Sequence, residues 1–443
     1  MSFLRTSWPA FPRNRSRRSA NRRQSKKERS AMRPRVSIVI PSHNRYPLNR
    51  YSLYALELQS FDLSRLEVIL VDDASTDDTT KLKHYKPEYR FRYVRNRKKL
   101  GVAKSRNVGA RLAEGQVVIF LDAEMIVDRD FVRNHYKHHE TAANHVVIGG
   151  ERRAKLYSLL FPGMSKSQIA DVCRLAERQE FRSLLRAKGL PSDDPGKIKR
   201  SLGKLKRPIP LISASHIKSF SDLAVCAAPK TNINEIIQQL GDRLETSPLR
   251  WMVCVGNLSL RKSLFDRLDG YDEDFTEWGT EDVEFAYRLH SAGARFVIEP
   301  ELWRYHQEHP NPPNKIDSGR RNRILLQKKH PVLDVCIRSL KSVQKLDYVF
   351  MDETLREYRA LRAGYSLYYK EFIDCIVYML RRAAILQERD AKIADLTRGF
   401  PSSLKTAVRQ RNRLEAAKRS SRLVRLFDLL AKRKRKRKRR RRR

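Results

Sequence analysis

Two groups of carboxylates have the spacing to do chemistry. The first is Asp122-Ala123-Glu124, directly after the apolar run Val117–Leu121. Acids at i and i+2 just past a buried strand can converge on one hard divalent cation where the chain bends. Mg2+ or Mn2+ takes such oxygen ligands and keeps positions open for a substrate phosphate. The second is Tyr271–Glu284, with seven carboxylates and no Lys or Arg in a chain of net charge +43. Like charges crowded in this way disfavour the compact state unless a cation, a basic partner or a raised pKa compensates. Thr280 is placed to cap a helix that carries Glu281 and Asp282 in its first turn. Compensation of the helix dipole, worth about 0.3–1 kcal/mol, accounts for two acids there. It leaves the other five, and Trp278-Gly279 just before them, without a reason.

Two smaller features join these. In Tyr305-His306-Gln307-Glu308-His309 a neutral imidazole can complete a metal site. Gly101–Asn107 opens a helix with exposed amides and two cations, Lys104 and Arg106, a combination suited to phosphate or another anion. Glycine is too sparse there for a P-loop or a dinucleotide fingerprint.

The elements that must position these groups alternate. Val36–Ile40, Leu66–Val71, Phe91–Val94 and Val117–Leu121 read as short buried strands. Helical patterns occupy 47–60 and Gly101–Ala113, the second stopped by Gly115 as a C-terminal cap, and Thr76 or Asp77 is placed to cap a short helix. Alternation of this kind predicts βαβ units and a parallel sheet, whose ligands bind beyond the carboxyl ends of the strands. Strands ending at Asp72-Asp73 and at Asp122 therefore face one cleft. Residues 151–250 are basic and poorly periodic, and are read as an insertion or acceptor-side region. Order resumes at Trp251–Gly256, with a helix from Glu281 to Ala292 stopped by Gly293, a strand at Ala294–Ile298 and a mostly helical stretch from 318 to 430.

Composition limits the class. Residues 1–35 carry twelve basic side chains against Glu28 alone, and residues 432–443 are all Lys or Arg, leaving +20 of the total charge for 36–431. Such runs repel themselves and stay solvated, so both ends are expected to be disordered. Five scattered cysteines without a CxxC pair argue against a disulfide framework or structural zinc and fit a reducing compartment. No apolar stretch follows the basic start and none reaches 18 residues, so neither a secretory signal nor a spanning helix is expected. A cytoplasmic protein results, peripheral at the inner face of the membrane if the tails bind there.

Val39-Ile40-Pro41-Ser42-His43-Asn44-Arg45, Val71–Asp77, Gly101–Gly109 and Leu121–Glu124, in this order, resemble the family 2 glycosyltransferases. Gly256–Asp282, ending in Trp-Gly-Thr-Glu-Asp, is similar to the C-terminal half shared with galactosyl- and N-acetylgalactosaminyltransferases. The resemblance covers about residues 35–310. It implies a GT-A, Rossmann-like α/β domain over that range, with 151–250 as its insertion, between basic tails 1–34 and 432–443 and with a helical extension over 311–431. It further implies a UDP-sugar donor, a Mn2+ or Mg2+ cofactor and inversion at the anomeric carbon. Pro41, Arg45 and Asp73 would then surround the uridine with Asp72 nearby, while Arg106 and Lys104 contact the donor phosphates or sugar. Asp122 and Glu124 occupy the metal motif, with Glu124 replacing the usual second Asp and His306 as third ligand. Asp282 matches the catalytic base, Glu281 supports it or binds acceptor hydroxyls, and Trp278-Gly279 offers a platform for an acceptor sugar. The expected activity is transfer of a hexose or N-acetylhexosamine to a glycan or cell-surface polymer, as in polysaccharide or cell-wall synthesis. The alternative is a non-catalytic protein on the same scaffold that binds nucleic acid or an anionic membrane through its tails. The tails lack interleaved aromatics and any reading helix, so no specific nucleic acid is expected.

Overall fold

Val36–Ser42 (β1) alternates its side chains between two buried layers, Ile38 and Ile40 into one and Val39 into the other. A strand covered on both faces has no polar side to show, which is why it reads as a continuous apolar run. The same holds for Leu66–Asp72 (β2) and Val117–Phe120 (β4), which carry the cleft acids at or just past their ends. The computed structural model describes residues 33–432 apart from 150–152, 229–234, 255, 311–313 and 366. The basic ends 1–32 and 433–443, expected to be disordered, lie outside the described residues.

The main sheet has seven strands. In chain order these are β1, β2, Arg90–Arg95 (β3), β4, His145–Gly149 (β6), Leu258–Arg261 (β9) and Arg295–Glu299 (β10), arranged β10-β6-β9-β4-β1-β2-β3. A four-stranded sheet beside it orders Ala227–Ala228 (β8), Arg153–Leu156 (β7), Arg304–Gln307 (β11) and Met125–Val127 (β5). The all-parallel expectation fails at one strand. β1 to β4 and the β6–β10 pair run parallel, but β9 is antiparallel to both β4 and β6. Its reversal delivers Gly256 and Asn257 to the end of β4, next to Asp122.

Leu48–Glu57 (α1) and Phe131–Thr141 (α3) pack on one face of the sheet together with the insertion, whose helices Gln179–Ala187 and Pro195–Gly203 anchor through Phe181, Leu185, Ile198 and Leu202. The other face takes Val102–Leu112 (α2) and Glu281–Ser291 (α4). The C-terminal helices, Lys315–Lys329 (α5), Tyr348–Tyr365 (α6), Lys370–Glu388 (α7), Leu404–Ala416 (α8) and Ser421–Ala431 (α9), bury Leu326, Leu355, Phe372, Leu414 and Leu426 in this same core. The helical extension is thus continuous with the core behind the cleft. No helix among the described residues is long and apolar enough to cross a membrane, and all five cysteines are free.

Gly293 ends α4 as expected. At φ +78 it donates to His290 O while Ala294 N reaches back to Leu289 O, which is a Schellman closure. Gly115 does something else. It has no positive φ, and α2 already ends at Leu112. A Cβ at Gly115 would lie 2.6 Å from Ser37 N and 2.7 Å from Val36 C, so glycine is required there by the closeness of β1. Gly115→Ala is therefore expected to destabilise the fold by about 1–3 kcal/mol, the cost of overpacking against backbone that cannot yield. Urea unfolding followed by far-UV circular dichroism would measure it.

Candidate functional site

The β1 and β2 ends are locked to each other. Asp72 Oδ1 accepts from Ser75 N at 2.8 Å, and Oδ2 from Tyr93 Oη at 2.5 Å and Arg95 Nη1 at 2.6 Å. Burial pushes this carboxyl up, but bonds from Ser75 and Tyr93, with Arg95 beside them, hold it below the usual range. Asp73 takes Asn96 Nδ2 at 2.8 Å and Leu100 N at 2.7 Å on one oxygen, and Gly101 N at 2.9 Å on the other. Both acids are buried and both fix loops. Asp73 shapes the turn that opens α2, where Gly101 adopts φ +92 with Thr276 O only 2.8 Å from the position of a Cβ. Asn44 Oδ1 accepts from Thr76 N at 2.7 Å, fastening the loop after β1 to the loop after β2 beside half-buried Pro41. Asp77, one of the two expected caps, does cap the short turn that follows, through Thr79 N.

Glu124 lies just before β5, which pairs antiparallel with β11 and so meets the segment His306–His309. Glu124 Oε1 is 3.8 Å from His306 Nε2 and 3.3 Å from His309 Nε2. One ligand atom from each of the three lies within 4.8 Å of the others. The far ring nitrogens are engaged too. His306 Nδ1 lies 3.2 Å from Glu308 Oε1 and His309 Nδ1 lies 2.8 Å from Pro310 O. Carboxylate and carbonyl oxygens only accept, so each Nδ1 carries a hydrogen, while Nε2 faces Glu124, where it donates to the carboxylate or, once a metal is bound, offers it a lone pair. An oxygen acceptor behind each imidazole is how metal-ligating histidines are oriented. One carboxylate and two imidazoles fit Mn2+ better than Mg2+, which prefers oxygen ligands.

Asp122 is not in this group. Its Oδ1 accepts from Arg106 Nη2 at 3.0 Å, and its backbone N–H donates to Asn257 Oδ1 at 2.8 Å. Arg45, expected at the uridine, instead reaches Glu124 Oε2 through Nε at 3.3 Å. Burial alone would raise the Glu124 carboxyl, but contact with His309, Arg45 and His306 holds it well below the ordinary range. Behind the histidines, Gln168 of the insertion donates to Glu308 Oε2 at 3.2 Å and to His309 O at 3.0 Å. The insertion thus braces the histidine loop. Sequence spacing gives His309, Glu308 and Gln168 no role, although a second histidine three residues after His306 is a signal.

Across the cleft, α4 begins at Glu281 as expected, but Thr280 does not cap it through its side chain. It sits in the left-handed region at φ +82, following Gly279 at φ +90. What holds this turn is Asn322 of α5, whose Nδ2 donates to Gly279 O at 2.6 Å and to the carbonyls of Glu277 and Trp278. Trp278 is 51% exposed, so it is no core tryptophan, and Lys315 Nζ stands 4.6 Å from its ring centre.

Six of the seven acids have cations. Asp272 and Asp274 share Lys329, Glu273 lies near Lys104 and Arg111, Glu277 pairs with Arg321, Glu281 with Arg106, and Glu284 with Arg288 and His330. Asp282 has no ion-pair partner among the described residues, accepting only Gly256 N and Val283 N, each at 2.8 Å. Burial pushes its carboxyl up, with nearby Arg106 and the two amides only partly offsetting this. Glu281 is likewise raised, by burial and then by the charge of Asp282.

Arg106, expected at the donor phosphates, is 3% exposed and lies between the two acidic motifs. Nη1 donates to Glu281 Oε1 at 2.9 Å and Nη2 to Asp122 Oδ1 at 3.0 Å, with the guanidinium 5.1 Å from the Tyr271 ring centre. Lys104 stays partly exposed near Glu273.

A Rossmann-like α/β sheet, with one acidic motif past its central strands and another opening a helix across the cleft, is the GT-A architecture of the glycosyltransferases. Residues 37–187 match the model of glycosyl transferase family 2, and residues 247–309 match that of the N-terminal domain of galactosyltransferase. Over residues 37–187 the chain carries a glycosyltransferase family 2 domain. The uncharacterized glycosyltransferase YfnE of Bacillus subtilis is 29% identical over 65% of this chain and 68% of its own length. Validoxylamine A glucosyltransferase of Streptomyces hygroscopicus is 28% identical over 68% of this chain and 62% of its own. Among solved structures, S. aureus TarS 1–349 in complex with UDP superimposes over 87% of this chain and 91% of that chain, at TM-score 0.42 and 14% identity. That superposition is too loose to inform the chemistry.

Proposed function

We propose that this glycosyltransferase is a metal-dependent, inverting hexosyltransferase that moves a hexose or N-acetylhexosamine from a UDP-sugar to a hydroxyl of a glycan or cell-surface polymer. The observation that carries the reading is Asp282, the one acid of its cluster without an ion-pair partner among the described residues. A carboxylate left unpaired, with a raised pKa, against the loop that meets the end of β4 at Asp122 is suited to take the proton of an attacking hydroxyl. Glu281 is engaged by Arg106 and sets the position of its neighbour, while exposed Trp278, with Gly279, offers an apolar face to an acceptor ring. The loops after β1 and β2, with Pro41 and Asp73, form the floor for the nucleoside; Asp72 holds their shape. Lys104, partly exposed and 3.9 Å from Glu273, would turn to meet the donor phosphates.

Glu124, His306 and His309 would hold Mn2+, with Asp122 as neighbour. When bound, the metal neutralises charge on the departing diphosphate. Arg45 adds a fixed positive charge at the same place. The relative named as a glucosyltransferase supports a hexose donor. Residues 432–443 would attach the enzyme to an anionic membrane or polymer; of these only Lys432 lies within the described residues.

A panel of UDP-sugars with Mn2+, scored for hydrolysis and for transfer to simple sugar acceptors, tests the proposal. One UDP-hexose or UDP-N-acetylhexosamine should turn over in a metal-dependent way. Turnover only with donors carrying another nucleotide would overturn the uridine assignment.

A further inference from the structure

Five of the ten exposed large hydrophobic side chains among the described residues lie on the C-terminal helices α6 and α8 and between α6 and α7. Tyr365 ends α6, Leu367 and Tyr368 lie just before α7, at 49%, 82% and 50% exposure, and Leu404 and Val408 lie on α8. The turn is built. Gln410 of α8 donates to Tyr368 O at 2.6 Å and accepts from Phe372 N at 2.8 Å, which pins it to the helix. Arg413 donates to the Tyr368 hydroxyl and lies 5.4 Å from its ring centre, and Arg419 Nη1 donates to the Tyr365 hydroxyl at 3.2 Å.

Cations surround the apolar apex. Lys405, Arg409 and Arg413 follow one another at i, i+4 and i+8 on α8, all exposed, and with Arg362 and Arg419 they have no carboxylate partner among the described residues. The nearby acids are already engaged: Asp374 by Lys370 at 2.6 Å, Glu371 by Gln410 at 3.1 Å and Glu415 by Arg411 at 2.9 Å.

We propose that this tip docks on an anionic lipid bilayer. A lipid surface is the partner that satisfies every part of it. An aliphatic apex enters the acyl boundary, tyrosines sit at headgroup level with their hydroxyls wet, and arginines and lysines meet anionic headgroups. A nucleic acid would use the cations but leave Leu367 without an apolar partner. A second copy of the chain would bring one stripe of cations against another. Docking here also fixes a distance. α7 spans 19 residues, about 28 Å at 1.5 Å per residue. Near its far end Gln387 accepts from Arg323 of α5, next to the Asn322 that holds the catalytic turn. The cleft would then stand roughly a helix length from the membrane, within reach of an acceptor chain rooted there. This proposal does not depend on the catalytic reading.

The test uses the full chain with Leu367→Cys carrying an environment-sensitive fluorophore, in a Cys173→Ser background because the other four cysteines are buried. The label should shift to the blue with vesicles containing phosphatidylglycerol, and not with pure phosphatidylcholine vesicles, duplex DNA or concentrated protein alone. Arg409→Glu with Arg413→Glu should weaken the vesicle response by about tenfold or more. A label that stays aqueous on protein sedimenting with the anionic vesicles would assign binding to the tail and overturn the proposal. So would an equal shift with DNA or on self-association.

Discussion

Asp282→Asn is expected to lower sugar transfer by about 10²–10⁴-fold, the contribution of a positioned general base, while donor binding survives. The substitution keeps the size and removes the charge that the surroundings leave unpaired. One amide bond, from Gly256 or Val283, is lost because an amide side chain offers a single acceptor. That loss is set against a gain. The carboxyl has a raised pKa in the folded chain, so the folded state binds more protons than the unfolded one between the two values, and stability falls as pH rises through that window. At neutral pH the aspartate therefore costs stability, and the asparagine variant should melt no lower than the parent. The same direction shapes catalysis. The base works ionised, so kcat/KM should fall as pH drops through a value above the ordinary aspartate range, and this limb should vanish from the residual activity of the variant. Isothermal titration with UDP, a thermal melt and a pH series on initial rates would separate these effects. Unchanged turnover would remove Asp282 as the base.

The strands and their acidic ends were legible because a strand buried on both faces must be apolar throughout, and a run such as Leu66–Val71 broken by Asp72-Asp73 has few other readings. Asp282 was legible for a different reason. Seven acids without a base, in so basic a chain, demand compensation from elsewhere, and the structure supplies it from Lys329, Arg321, His330 and Arg106 while leaving Asp282 unpaired. What sequence spacing did not carry was which distant residues meet. Arg106 has the position of a phosphate ligand at a helix start, yet burial turns its guanidinium onto Asp122 and Glu281. Gly115 has the place of a helix cap, but its reason is the backbone of β1. In the insertion, helices such as Gln179–Ala187 bury only Phe181 and Leu185, too short a pattern to stand out from a basic background.

The largest effect on metal is expected at His309, a residue to which spacing alone gave no role. A strand places residues i and i+3 on opposite faces. His306 and His309 share a site because β11 ends at Gln307 and the chain turns there, held by Glu308 N on Leu156 O and by Gln168 on His309 O. His309→Ala and Glu124→Ala should each weaken Mn2+ binding in the presence of UDP by more than the roughly 10–100-fold that loss of an outer partner costs. Glu308→Gln and Gln168→Ala, which touch only the partners of the ligands, should fall within that range. Asp122→Ala should act differently. Its carboxylate is held by Arg106, so its removal leaves a buried guanidinium with one acid instead of two, and the main loss should be thermal stability. Mn2+ titration followed by electron paramagnetic resonance reads free metal directly, without depending on turnover. Should Asp122→Ala abolish binding while His309→Ala spares it, Asp122 holds the metal, and the histidine pair is no more than a charge contact to Glu124.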